Sequence, residues 1–308
     1  MSLQQTSTLL LVRPAAFAFN DETAADNAFQ YTDPGVDVFS LASNALMEFD
    51  YMADELNNCG LNVIIAEDSY VPPKPDAIFP NNWVFMGHDG RVTLFPMMAP
   101  NRRPEKRDEI LDLIREEHVI TDVLDMSELE AENFFLEGTG SMVMDHENKM
   151  IFAALSQRTH PAALDKWARA NGYHAITFRS NDGHGHPIYH TNVMMSIGPN
   201  IAVICQDAFE DELEWIAVTQ VLRSTGHRVV PISIDQMRAF AGNILFVRNN
   251  RNESLTLLSE TAFDALNEEQ KGYISEAGRL VPLTIPTIEM VGGGSVRCMI
   301  AEVFLPKK

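Results

Sequence analysis

The chain has 308 residues and a formal charge of −20 at pH 7. It is long enough to bury a core without disulfide staples. It is too acidic for nucleic acid or an anionic membrane as partner, because such affinity comes largely from basic side chains neutralising phosphates, whereas a small zwitterion is not excluded. The three cysteines, Cys59, Cys205 and Cys298, are odd in number and far apart; this fits a reducing compartment, and cytoplasm is the expected location. The opening MSLQQTSTLLLVRP has no basic start before a long apolar run, and no apolar stretch reaches the roughly 20 residues of a membrane span. No Pro/Ser-rich linker or low-complexity block interrupts the sequence, so residues 1–308 are expected to form a single domain.

In chain order, SLASNALMEFDYMADELNNCG predicts a helix and LNVIIAE a strand. NNWVFMGHDGRVTLFPM then predicts two strands joined by a turn at His88, Asp89 and Gly90, EKRDEILDLIREEH an amphipathic helix, and VITDVLDM a third strand. This strand-strand-helix-strand unit returns as SMVMDHENKMIFAAL, AALDKWARANG and YHAITF, and again as NVMMSIGPNIAVICQ, EDELEWIAVTQVLRSTG and HRVVPIS. NILFVRNNRNESLTLLS, EEQKGYISEAG and RLVPLTI make another. A period of roughly 50 residues signals an array or propeller of supersecondary units. A fifth unit is split: SVRCMIAEVFL at the C-terminus is expected to supply its first strands, and the N-terminal helix and strand the rest. The expected architecture is an α/β ring closed by the two termini.

Aligning the units on their first strands gives NNWVF, GSMVM, TNVMM, GNILF and GSVRC. Asn82, Ser141, Asn192, Asn243 and Ser295 then share a position, and Cys298 stands where the others have Phe85, Met144, Met195 and Phe246. If first strands line the axis, the segments just ahead of them converge at one mouth, bringing Asn82, Glu137, His190 and Cys298 together. A cysteine becomes nucleophilic when a cationic neighbour favours its thiolate and a base can move its proton. His190 can be that base, with Glu137 orienting its ring. Gly292, Gly293 and Gly294 just before the cysteine would permit an unusual turn and close approach of substrate. The bland readings are a buried structural cysteine and a turn glutamate. His184, His186 and His190 lie close in sequence, but no accompanying cysteine or carboxylate pair has ligand spacing, so no metal and no cofactor is expected. Cys59 and Cys205 are read as structural.

These segments resemble the guanidine-modifying superfamily of arginine deiminases, dimethylarginine hydrolases and amidinotransferases, and the likeness runs along nearly the whole chain. FLEGTG is similar to its acidic-Gly-Gly-Asp motif, IYHTNVMMSIGPN to its histidine strand, and GGGSVRCM to its C-terminal nucleophile. APNRRPE and LSQRTH are similar to the segments where dimethylarginine hydrolases carry substrate-carboxylate arginines. The resemblance implies a five-bladed α/β propeller, with Cys298 as nucleophile, His190 as general acid/base, Glu137 as its partner, and Arg102 and Arg158 as a carboxylate clamp. Two departures stand out: Asn82 replaces the aspartate that grips a guanidinium, and EGTGS lacks the motif's second acid. An asparagine suits a neutral ureido group, and RPAAFAFNDETAADNAFQ, FPNNW and LEGTGS are most similar to the citrulline-utilisation hydrolase branch. The expectation is therefore a cysteine hydrolase acting on a small amino acid, citrulline first, with an arginine deiminase, dimethylarginine hydrolase or amidinotransferase as alternatives. A non-catalytic propeller, such as a ribosome anti-association factor, is the alternative of another class.

Overall fold

The structure, a computed structural model, describes residues 3–31 and 37–308. Its strands form five three-stranded sheets. One contains β1 (Thr8–Arg13) and β2 (Asn62–Glu67), and the next β3 (Val84–Met86), β4 (Arg91–Leu94) and β5 (Asp122–Asp125). The third holds β6 (Val143–Asp145), β7 (Met150–Ala154) and β8 (His174–Phe178). The fourth holds β9 (Met195–Gly198), β10 (Ile201–Cys205) and β11 (Arg228–Ile232). The fifth holds β12 (Leu245–Arg248), β13 (Ser254–Ser259) and β14 (Arg279–Leu283), and the C-terminal β15 (Ala301–Glu302) returns to β1.

Within each unit the first two strands are antiparallel and the last two parallel. A parallel neighbour requires a crossover, and the crossovers are the predicted helices: Val38–Asn58, Asp108–Glu117, Pro161–Asn171, Glu212–Ser224 and Glu268–Ala277. Four of the five, all but Asp108–Glu117, start at a side-chain cap. The Asp211 side chain accepts from Leu213 N, and Asn267 and Gln270 form a reciprocal capping box. Pro161, whose missing N–H costs nothing in a first turn, opens the third. On that helix Ala163, Leu164, Trp167 and Ala168 face inward, and Trp167 meets Phe85 edge-on at 5.3 Å.

The split unit differs from the sequence expectation. The N-terminus supplies two of its strands, with β1 in the middle, and the C-terminus only the two-residue β15, paired as Leu9 to Glu302 and Leu10 to Ala301. Leu9, Leu10 and Leu11 are all fully buried. A strand covered on both faces has no polar alternation to announce it, which is why TLLLVR escapes a period-two reading. Ser295–Ile300 is also not a strand. Cys298 N donates to Ser295 O at 2.9 Å and Met299 N to Val296 O at 3.2 Å, so Cys298 sits in a turn and not at the strand position of Phe85, Met144, Met195 and Phe246.

First strands of neighbouring sheets lie side by side, β6 by β9, β9 by β12, and β15 by β3. Met144, Met195 and Phe246 line a small cavity together with the Arg297–Glu302 ion pair. Two glutamines tie these strands together: Gln4 Nε2 donates to Met144 O at 2.9 Å and Ile197 O at 3.4 Å, and Gln5 Nε2 to Val247 O at 3.0 Å. Among the described residues no helix is long and apolar enough to cross a membrane. All three cysteines are free.

Leu10→Ala tests the buried middle strand. It should lower unfolding free energy by about 2–5 kcal/mol in urea titrations, the usual cost of truncating a leucine in a core. A cost below about 1 kcal/mol would show that β1 does not hold the split sheet.

Candidate active site

An antiparallel hairpin places the start of its first strand and the end of its second at one edge. Asn82 ends the turn Pro80–Asn82 before β3, Glu137 precedes the single helical turn Gly138–Ser141 before β6, and His190 precedes Thr191–Met194 before β9. Cys298 occupies the turn before β15, and Arg102 and Arg158 follow β4 and β7. The six candidates therefore come to the same edge. Asn82, Arg102, Arg158, His190 and Cys298 line one cleft. Glu137 lies behind it, bonded to His190 through Oε2 and Nε2 at 2.8 Å.

Glu137 is fully buried. Its Oε1 accepts from Met98 N at 3.0 Å, and its Oε2 lies 3.6 Å from an Arg158 nitrogen and 3.9 Å from an Arg102 nitrogen. Burial pushes the carboxyl up, but Arg158, the His190 hydrogen bond and Arg102 together outweigh it and hold the group well below the ordinary carboxylate range. For His190, burial dominates and lowers its pKa against the pull of Glu137, favouring the neutral ring. With Nε2–H donated to Glu137, Nδ1 keeps the free lone pair. A Cβ on Gly140 would stand 2.5 Å from Asn82 Nδ2 and 2.7 Å from His190 Nδ1. Gly140, at the place of the motif's missing second acid, thus leaves room for both atoms.

The Cys298 sulfur is met by two amides, Asn243 Nδ2 at 3.3 Å and Asn192 Nδ2 at 3.5 Å. Burial pushes the thiol up, opposed by a backbone hydrogen bond from Ser295, by Asn243, by the charge of Arg297 and by Asn192. Arg297 is no contact cation for the sulfur, because its guanidinium turns to Ile300 O at 3.0 Å and Glu302 at 2.9 Å. Asn192 and Asn243 are not among the candidates of the sequence analysis, although they share an aligned column with Asn82 that could have singled them out.

Both clamp candidates are already engaged by protein carboxylates. Arg102 grips Glu105 through two bonds of 2.9 and 3.0 Å and donates to Asn82 Oδ1 at 2.9 Å. Burial pushes the Glu105 carboxyl up to about 7, against the pull of Arg102. Arg158 makes a two-pronged contact with Asp26 and donates to Thr23 O at 3.1 Å. Asp76, six residues before Asn82, also lines the cleft; its Oδ2 accepts from Asn20 at 2.7 Å and Thr23 at 3.2 Å, while the buried Oδ1 has no partner. Sequence reading passed over Asp26, Asp76 and Glu105.

The glycine triplet lines the cleft, yet protein fills the space its Cβ atoms would take. A Cβ on Gly292 would meet the Phe79 ring at 2.7 Å, and one on Gly293 would meet Gln30 Cγ at 2.5 Å and Asn27 Nδ2 at 2.7 Å. Gly293 alone of the three has a left-handed φ, +62°. The triplet therefore admits Phe79 and the N-terminal segment against the cysteine turn. His186 is an exposed loop residue 3.2 Å from Asp182. Among the described residues no group of three or more His, Cys, Asp or Glu side chains is placed to hold a metal ion.

Five strand-strand-helix-strand sheets with these segments at one edge define a protein of the guanidine-modifying superfamily. More narrowly, residues 13–305 match the model of the family N,N dimethylarginine dimethylhydrolase, eukaryotic, and the chain belongs to that family. No curated protein matches the chain. In fold it is similar to the N-terminal domain of ArgZ, an arginine dihydrolase from the ornithine-ammonia cycle in cyanobacteria. The TM-score is 0.73 at 14% identity, over 97% of this chain and 99% of that one. Unliganded AgrE gives 0.72 at 13% identity over 98% of this chain and 40% of that one. A dimethylarginine dimethylaminohydrolase in adduct with 4-chloro-2-hydroxymethylpyridine gives 0.66 at 13% identity, over 96% and 99%. The chain spans 40% of the length of full-length ArgZ.

The environment of Cys298 has a measurable consequence. Alkylation of Cys298, followed by peptide mass spectrometry, should accelerate only as pH rises, with a midpoint above the ordinary thiol value of 9 in the absence of substrate. A midpoint near neutrality would mean that a cation, and not two amides, meets the sulfur. Gly140→Ala should cut kcat by roughly a hundredfold or more, by displacing the His190 ring from its bonded position. Activity within about threefold of wild type would show that the space at Gly140 is not used.

Proposed function

We propose that the chain is a cofactor-free cysteine hydrolase on a closed, single-domain five-bladed α/β propeller, acting on the ureido or guanidino tail of an α-amino acid, with citrulline as first substrate. The observation that carries this reading is the orientation of Asn82. A guanidinium has only donors, so the amide oxygen must face Arg102, and it does at 2.9 Å. Nδ2 then turns away, buried and without a partner. A cleft whose buried amide offers only N–H groups is matched by a ureido oxygen and opposed by a guanidinium, which brings more donors. Asp76 Oδ1, an unpartnered acceptor in the same cleft, suits the ureido N–H groups.

In this mechanism the Cys298 thiol gives its proton to His190 Nδ1 and the sulfur attacks the ureido carbon. His190 returns the proton to the departing nitrogen, leaving a carbamoyl group on sulfur. Water, deprotonated at the same Nδ1, attacks that carbon, and the thiol is restored as carbamate leaves. Carbamate breaks down to ammonia and carbon dioxide, so citrulline gives ornithine, ammonia and carbon dioxide. Glu137, held ionised, supports the imidazolium formed in each half. Since the His190 pKa lies below its ordinary 6.5, kcat/KM should hold down to that pH and fall only at lower pH, as the ring protonates. Of the two clamp candidates Arg158 is assigned to the substrate carboxylate, because the guanidinium nitrogens of Arg102 are taken by Glu105, Asn82 and the carbonyls of Asp76 and Phe79. In ArgZ a cysteine-to-serine variant was captured with substrate and an asparagine-to-serine variant with a covalent reaction intermediate; both residue types stand in this cleft.

Arginine is the second reading, favoured by the same Asp76 Oδ1, a buried carboxylate oxygen able to accept from a guanidinium. The two are separated by kcat/KM for citrulline over that for arginine, measured above pH 6. Wild type should prefer citrulline. Asn82→Asp removes the donor and should shift the ratio toward arginine by roughly tenfold or more, the cost of one unsatisfied contact in a desolvated site. A wild type that prefers arginine, with a ratio unmoved by the substitution, would leave the arginine reading in place.

A further inference from the structure

The pair formed by Arg158 and Asp26 joins residues 132 positions apart, with Nε donating to Oδ2 at 2.8 Å and a second guanidinium nitrogen to Oδ1. The Arg158 side chain is 3% exposed and that of Asp26 15%, so the arginine is the inner partner and the aspartate the outer. Arg158 lies 5.0 Å from the centre of the Tyr189 ring, whose hydroxyl donates to Gly293 O at 2.6 Å, placing the pair beside the cysteine turn. The neighbouring Asn27 reaches that same carbonyl, at 3.4 Å, and lines the cleft.

The geometry points to Asp26 as a specificity-determining residue that accepts the α-ammonium of the substrate, an inference resting on the reading above in which Arg158 takes the α-carboxylate. An amino-acid head carries on one carbon the same two charges that this pair carries across a contact. Inserted between them, a zwitterion exchanges one ion pair for two and adds no net charge to a desolvated site. A head with only a carboxylate must displace Asp26 and give it nothing, leaving two carboxylates competing for one guanidinium. A head with only an ammonium leaves Arg158 without gain. The pair therefore selects the intact zwitterion over Nα-acylated and decarboxylated analogues, and the segment bearing Asp26 takes part in substrate recognition.

The test compares wild type, Asp26→Asn and Asp26→Glu by steady-state kinetics on citrulline, Nα-acetylcitrulline and (4-aminobutyl)urea, with the matching arginine series in parallel. Asp26→Asn should raise KM for the free amino acid by about tenfold or more with kcat within about threefold, and should lower KM for the acetylated analogue, whose carboxylate no longer competes with Asp26 for Arg158. Asp26→Glu, which keeps the charge, should recover most of the loss. Calorimetric binding of ornithine and Nα-acetylornithine gives a readout independent of the tail: Asp26→Asn should weaken ornithine alone. If no tail is turned over but ornithine binding still depends on Asp26, the proposed activity fails and the head-group assignment stands. Two results overturn the assignment. One is a lower KM for citrulline and tighter ornithine binding in Asp26→Asn, the mark of a competitor for Arg158; the other is equal effects on free and acetylated ligands.

Discussion

A carboxylate with no exposed surface, Glu137, is the constraint around which the site is arranged. An isolated buried charge is prohibitively unfavourable, so it must be answered by donors and cations fixed in place. Here a backbone N–H, the His190 ring and two guanidiniums supply the answer. Each guanidinium is itself buried and must be answered in turn, Arg102 by Glu105 and Arg158 by Asp26. One buried acid thus recruits charges from the ends of several hairpins, and a network of that kind tolerates little rearrangement because any member left alone carries the full desolvation cost.

The repeated unit was legible because its elements signal themselves locally. Amphipathic helices such as EKRDEILDLIREEH and half-buried strands such as HRVVPIS have the periods that sequence reading relies on, and helices such as EEQKGYISEAG begin at a side-chain cap. β1 was not legible: its three leucines are covered on both sides, and an apolar run of that length has no preferred period. The turn at Ser295–Ile300 escaped for a different reason. An alignment by residue type slides past an inserted turn, and only the hydrogen bonds from Cys298 and Met299 back to Ser295 and Val296 show that the strand begins later.

The same distinction runs through the site. Residues that repeat from unit to unit, such as Asn82, Asn192 and Asn243, can be found from the period. Asp26, Glu105 and Asp76 repeat nowhere. Asp26 meets Arg158 only through the fold, and its segment, FNDETAADNAFQ, reads alone as an exposed acidic loop. The glycine triplet shows a related limit. Its lack of side chains signals close approach, but the sequence does not say whether a ligand or another part of the chain approaches. In the structure Phe79, Asn27 and Gln30 occupy that space.

In the proposed function, catalysis and substrate choice converge on one guanidinium. Arg102 helps keep Glu137 ionised, and Glu105 holds Arg102 through two bonds, so the guanidinium plane is not free to turn. Its remaining nitrogen faces Asn82 Oδ1, and that contact leaves Nδ2 as the unpartnered end of the amide. The orientation that favours a ureido oxygen is therefore a consequence of keeping a carboxylate charged in the interior. An aspartate in place of Asn82 would meet the same nitrogen with one oxygen and offer the cleft the other, exchanging a donor for an acceptor without moving Arg102. On that proposal the site would pass between neutral and cationic tails by exchanging one side-chain atom, because Glu105 holds the Arg102 guanidinium that the exchanged group must meet.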